Sequence, residues 1–410
     1  MKVLAKVAKA LFLICGVAGF ILPCAAAQRW TPAHVVIVIL ENKSVQEIIG
    51  DPEMPYLNAL AQESALVTRA YFAQIPYGTI PAGYAARLPA RPSQPNYLYL
   101  FSGHHQGMLP SWFRDPASPY IGTAINDPAG NRLQRKIANT PIGIGNNLIP
   151  ASMRPFATPN LGAALIASGG SFASFSESLP YPGYDGKDDP APDKDLYRRK
   201  HNPAINWIDF GGRPVAADQR TFLLPVEVNL GFTNTTDPGD GTRYRGFAVD
   251  AQGNRSGFER LPTVSIVVPN EQHDMHSAGK RACDEWLEAQ IKPYAEWART
   301  HDSLLIVTTD EDGSTNASRG DAYMTGIDPI ATFFYGPPDK VIAGSYDERI
   351  DHLNVLATVL DRYGLIEEFK RDFLRAHRGP EAEHMSANLR PIRDVFAEGS
   401  KLAPIPESEY

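Results

Sequence analysis

Val35-Val36-Ile37-Val38-Ile39-Leu40 is an unbroken apolar run, mostly β-branched, and Glu41-Asn42 follows it directly. The run is too short to span a membrane and has no helical alternation. It therefore predicts a central strand buried on both faces of a mostly parallel sheet. Sheets of that kind form their sites outside the carboxyl ends of the strands, where Glu41 and Asn42 would sit.

Other apolar runs end in the same way. Val264–Val268 leads into Pro269-Asn270-Glu271-Gln272-His273-Asp274-Met275-His276, and Leu304–Val307 leads into Asp310-Glu311-Asp312-Gly313. Ala331–Tyr335 reads as a further strand, and Asp351-His352 precedes an apolar helix carrying Val355, Leu356, Val359 and Leu360. Helical spacing is expected across Met54–Val67 and across Lys280–Thr300, the latter kinked at Pro293. Pro95 suits the first turn of a helix that Gly103 would end, which places Ser93 at a helix start, where free N–H groups favour anions. Leu109–Pro150 reads as a long lid or rim, Asp185–Asp195 as an exposed loop, and the last forty-odd residues as decoration.

The first residues stand apart. Lys2, Lys6 and Lys9 precede an apolar stretch from Ala10 to Leu22, and Ala25-Ala26-Ala27 offers a small-residue cleavage site. Residues 1–27 have the layout of a signal peptide, leaving residues 28–410 as one domain. The implied location is periplasmic or secreted, without stable membrane insertion once the signal is removed. Removing those lysines makes the chain three units more negative than its full-length −7, which disfavours nucleic acid as a partner. Cys283 would then be the remaining cysteine, so no internal disulfide is expected.

Carboxylates and imidazoles gathered at one sheet edge repel one another unless a cation lies among them. The strand-end clusters therefore call for a divalent ion, with Mg, Ca, Zn, Mn and Fe all chemically admissible. A metal beside Ser93 would supply the activation that a serine hydroxyl lacks. Taken singly, each cluster is ordinary: a helix cap, a surface turn, a solvated histidine.

Seven segments occur in order: HVVIVILENKS, PSQPNYLYLFSG, PNLGAALIASG, RKHNP, PTVSIVVPN with HDMH, SLLIVTTDEDGS and ERIDHLNVL. Together they resemble the phosphoesterase family of bacterial acid phosphatases and phospholipases C, over about residues 34–365, and the chain looks most like its compact secreted acid phosphatases. The resemblance implies an alkaline-phosphatase-like, three-layer α/β/α sandwich. It implies that Glu41, Asn42, Ser93, Asp310 and Glu311 hold the metal and that Ser93 is the nucleophile of a phosphoserine route. His201, Asp274, His276 and His352 would be catalytic, and Arg91, Lys200 and His273 would bind substrate. Two positions depart from the family pattern: Arg91 stands where a histidine is usual, and Gly313 where an acid is common. The implied activity is hydrolysis of phosphate monoesters on small molecules or lipid headgroups. The rival expectations are a phospholipase C-type phosphodiesterase and an inactive anion-binding protein.

Overall fold

The computed structural model describes residues 29–72, 93–106, 153–186, 196–233, 257–313 and 328–399, with 74–75, 88–89, 149, 244 and 246–247 besides. The expected signal segment, Arg91, nearly all of Leu109–Pro150 and Asp185–Asp195 beyond Gly186 lie outside these residues.

The first apolar run forms β1, Val35–Leu40, buried throughout. Side chains alternate across a strand. Val35, Ile37 and Ile39 enter one apolar cluster, while Val36, Val38 and Leu40 enter another on the opposite face. That two-sided burial is why the run contains no polar residue. The remaining strands are β2 (Ala65–Ala70), the small hairpin β3 (Gln74–Ile75) with β4 (Leu88–Pro89), β5 (Phe172–Ser176), β6 (Asn229–Gly231), β7 (Val264–Val268), β8 (Leu304–Thr309), β9 (Ile330–Tyr335) and β10 (Gly344–Ile350). Apart from the hairpin they form one sheet in the order β10-β2-β9-β8-β1-β7-β5-β6. Only β9 opposes its neighbours; the other pairings are parallel. The carboxyl ends of β1, β5, β7, β8 and β10 therefore share one edge.

Helices cover both faces. Gln94–Ser102, His352–Arg362 and Ile366–Ala376 pack on the face reached by Ile37; Pro55–Gln62 and the Lys280–Ala298 segment pack on the face reached by Val38. The result is a three-layer α/β/α fold with a mostly parallel sheet, as the sequence implied.

Two local readings change. The helix expected across Met54–Val67 ends at Gln62, and β2 begins at Ala65. Buried Ala65 and Val67 alternate with the half-buried Leu66 and Thr68, which is sheet alternation, before a register irregularity between Val67 and Ala70. The Lys280–Thr300 helix is not simply kinked at Pro293. It widens into a π-turn over Leu287–Ile291 and resumes at Lys292. A proline ring collides with the carbonyl four residues earlier, and the wider turn gives Pro293 room. β10 breaks the apolar rule altogether: it is an edge strand, and only its last residue, Ile350, is buried.

Ile37 pairs with β7 and β8 and is 1% exposed. Ile37→Ala is expected to cost about 3 kcal/mol, from lost burial and the cavity left behind. Urea unfolding of the two proteins measures it, with an unchanged m-value.

Candidate active site

The shared strand edge gathers the polar clusters. Glu41 leaves β1 fully buried, and its backbone N–H is held by the Asp274 carbonyl at 2.7 Å. Its carboxylate accepts Ser93 Oγ at 3.0 Å on one oxygen and the Tyr97 hydroxyl at 2.5 Å on the other. Ser93 and Tyr97 are four residues apart across the start of the Gln94–Ser102 helix, so one helical face delivers both. Pro95 sits in the first turn, and Gly103, left-handed at φ 72°, closes the helix, as the sequence suggested.

Asn42 turns the chain at φ 48°, a left-handed conformation asparagine tolerates. Its N–H meets Asp310 Oδ1 at 3.0 Å, and the same oxygen accepts the Glu311 N–H at 2.7 Å. Asp310 sits just past β8 and Glu311 beside it; Asn96 Nδ2 reaches Glu311 Oε2 at 3.5 Å. Gly313 also has a physical reason. A Cβ there would lie 2.3 Å from the Asn42 carbonyl oxygen, so the position excludes the acidic side chain common in the family.

The loop after β7 brings Asp274. Met275, at φ 79°, forces a tight turn in which Asp274 Oδ1 accepts the His276 N–H at 2.7 Å. A positive φ at methionine is strained, a kind of backbone conformation that concentrates at functional sites. His201 comes from the one-turn helix Arg199–His201. Its ring stacks on Tyr97 at 5.2 Å, with Nε2 at 3.3 Å from Glu41 and Nδ1 at 4.0 Å from Asp274. Asn202 pins that turn to the sheet: it accepts from Ser174 at 2.9 Å and donates to Ser176 and Asn229 at 3.2 and 2.9 Å. His352 opens the Asp351-capped helix, and its Nε2 meets the Asp310 carbonyl at 2.8 Å. A carbonyl only accepts, so Nε2 carries the proton and Nδ1 presents a bare lone pair.

The electrostatics follow from this crowding. Burial raises the Glu41 carboxyl, and Asp310 and Asp274 raise it further. Burial raises Asp310 and pushes Asp274 up to about 8, with Glu271 and Asp310 adding to the Asp274 shift. Burial lowers His201, helped by the Lys200 charge, and lowers His352 to about 4, so both imidazoles are neutral near pH 7. Asn42 Oδ1, Asp274 Oδ2, Asp310 Oδ2 and His352 Nδ1 are buried and hydrogen-bonded to nothing. Buried polar atoms are normally satisfied. Open oxygens among acids that repel one another are chemically suited to a divalent cation. One atom each from His201, Glu271 and Asp274 also lies within 4.8 Å of the others.

Of the residues the sequence singled out, Glu41, Ser93, His201, Asp274 and Asp310 converge through direct contacts. Asn42, Glu311 and His352 border them through Asp310. Lys200 acts on Glu41, Asp274 and Asp310 through its charge. His273 is committed elsewhere, to the Glu177 carboxylate at 2.9 Å and stacked on Trp286. His276 is largely exposed and lies 3.4 Å from Glu271. Sequence reasoning passed over Tyr97, Asn96 and Glu271. The first two sit one turn beyond Ser93, a spacing that could have found them.

Residues 246–366 match the Phosphoesterase family. A phosphatidylinositol-3-phosphatase of Mycobacterium tuberculosis is 30% identical over 345 residues, covering 83% of this chain and 80% of that protein. A phosphate-repressible acid phosphatase of Penicillium chrysogenum is 23% identical over 197 residues, covering 48% of this chain and 40% of that protein. Among solved structures, a protein of the alkaline phosphatase superfamily from Vibrio parahaemolyticus overlaps at a TM-score of 0.40 with 14% identity, over 82% of this chain and 69% of that one.

The raised Asp274 carboxyl has a measurable consequence. Its contribution to stability is fully present below the ordinary value of 3.8 and is lost as pH rises through about 8. His352 works the other way: its contribution is present above 6.5 and lost as pH falls through about 4, a smaller shift. The acid therefore dominates, and metal-free protein is expected to melt lower at about pH 8 than at about pH 5. Added divalent ion should raise the melting temperature more at the higher pH. Scanning calorimetry at both, with and without the ion, checks this.

Proposed function

The chain belongs to the Phosphoesterase family and is a phosphoric-ester hydrolase; from that premise we propose that it is an exported, metal-dependent phosphomonoesterase whose nucleophile is Ser93. The observation that carries this reading is the Ser93 hydroxyl, 2% exposed, held at 3.0 Å by a carboxylate in a nest of unsatisfied buried donor atoms.

Glu41, Asn42, Asp310 and Glu311 would hold the ion together with Ser93. When bound, a divalent ion supplies positive charge that favours the serine alkoxide and screens the phosphate oxygens.

The chain's own groups do the rest. Glu41 and the helix start fix the direction of Ser93 Oγ. Tyr97 fixes Glu41 in turn, and burial with the adjacent carboxylate pushes its phenol up, so it stays a donor throughout. Lys200 offsets the negative charge of the substrate. Ser93 Oγ attacks phosphorus as the alcohol leaves, giving a phosphoserine; water then attacks the same phosphorus and restores the serine. Asp274, whose carboxyl is raised by burial, is the group assigned to protonate the leaving oxygen.

The proposed substrates are phosphate monoesters, lipid headgroups among them, a class supported by the name of the mycobacterial relative. Export rests on the amino-terminal composition. Among the described residues, no helix is long and apolar enough to cross a membrane.

The experiment is turnover of p-nitrophenyl phosphate and bis-p-nitrophenyl phosphate before and after chelation. Monoester turnover that vanishes with chelator and returns with one divalent ion is expected; preference for the diester would move the assignment to a phosphodiesterase. Ser93→Ala is expected to lower kcat by about a thousandfold or more with an unchanged melting profile. Full activity in that variant would remove Ser93 from the mechanism.

A further inference from the structure

Beside the site lies a cationic pair that the chemistry above does not use. Arg154 and Arg199 are both buried, with side chains 10% and 3% exposed. Both guanidiniums converge on a single oxygen: Arg154 Nη1 is 2.6 Å and Arg199 Nη2 2.8 Å from Asp185 Oδ1. Arg199 spends another N–H on the Asn206 side-chain carbonyl at 2.9 Å, and its Nε reaches the Asp185 backbone carbonyl at 3.4 Å. Arg154 Nε is buried and donates to nothing.

Among the described residues, two buried guanidiniums face one carboxylate, and the neighbouring Arg198 is paired with Glu271 at 2.9 Å. A buried positive charge without a counter-charge is strongly disfavoured unless an anion answers it. Burial, with the Arg154 charge beside it, pulls even the Arg199 guanidinium down to about 10. Guanidiniums are weakly hydrated and matched to phosphate oxygens, so the anion they suit best is a phosphate.

The pair shares a local element with the site. Arg199, Lys200 and His201 are successive residues of the same one-turn helix. Arg199 enters the pair, the Lys200 charge acts on Glu41, and His201 lies 3.3 Å from Glu41. Asp185 is 34% exposed, so the carboxylate that covers the pair can swing into solvent.

We propose that Arg154 and Arg199 form a second anion subsite, which receives an additional phosphate group of the substrate while Ser93 attacks the first. Asp185 covers the pair when that group is absent and is displaced by it. This rests on the phosphomonoesterase reading and narrows it: the preferred substrates carry a second phosphate or a phosphodiester on the same molecule, as the headgroup of a phosphorylated inositol lipid does.

The test is a ratio. kcat/KM is measured for glycerophosphoinositol 3-phosphate, which carries a monoester and a diester, and for p-nitrophenyl phosphate, which carries the monoester alone. In Arg154→Gln the ratio of the first to the second should fall about tenfold, the worth of one charge-assisted hydrogen bond. A purely structural arginine would lower the melting temperature and both values together, leaving the ratio unchanged, and that result overturns the proposal. Should Arg154→Gln fail to fold, Asp185→Asn decides. Without the competing carboxylate the ratio should rise several-fold, and an unchanged ratio overturns the proposal. Inorganic phosphate inhibition separates the sources of the anion. If the Arg154→Gln ratio holds while phosphate inhibition weakens, the pair binds free phosphate and the proposal fails. Absence of p-nitrophenyl phosphate turnover in the unmodified protein would instead defeat the phosphatase reading itself.

Discussion

A carboxylate buried among other carboxylates governs this structure. Glu41 is removed from water at the end of the central strand, and an isolated buried carboxylate costs several kcal/mol even after relaxation. Two hydroxyls, from Ser93 and Tyr97, satisfy its oxygens but bring no charge. His201, the nearest base, is itself held neutral by burial. Asp274 and Asp310 then add charge of the same sign. Such a cluster persists either by keeping protons or by admitting a cation. The parallel strands supply the stability against which it is held.

The sheet explains why the clusters meet. In a parallel array the carboxyl ends of β1, β7 and β8 lie side by side, in register from Val35 with Val264 and Leu304. Residues more than two hundred positions apart thus become neighbours through strand pairing alone. The helix start at Ser93 and the helix start at His352 then approach the same edge from one face of the sheet. The reversal of β9 does not disturb this, because it lies on the far side of β8 and carries none of the clustered groups.

Much of this could be read from the chain. β1, β7 and β8 are buried on both faces, which produces apolar runs no other element would require, and the polar residues directly after them mark the edge. The less visible parts have physical reasons. β2 follows directly on a helix whose apolar spacing runs into Ala65, while β10 is an edge strand without an apolar signature. His273 and His276 share a motif with Asp274 but leave in other directions, because the turn at Met275 reverses the chain between them. Glu271 carries no signal of its own; only the approach of Arg198 and His201 gives it a place. Gly313 looked like a missing acid, whereas the carbonyl of Asn42 leaves no space for one.

The tautomer of His352 ties the second face of the site to the first. Its Nε2 proton is spent on the Asp310 carbonyl, so Nδ1 is an acceptor, and burial keeps the ring from protonating until about pH 4. A histidine in that state carries no proton at Nδ1. It can offer a lone pair to a cation or receive a proton. Among the clustered acids Asp274 is pushed the other way, up to about 8. Burial thus tunes the two residues in opposite directions: a base made unable to charge, and an acid made unwilling to.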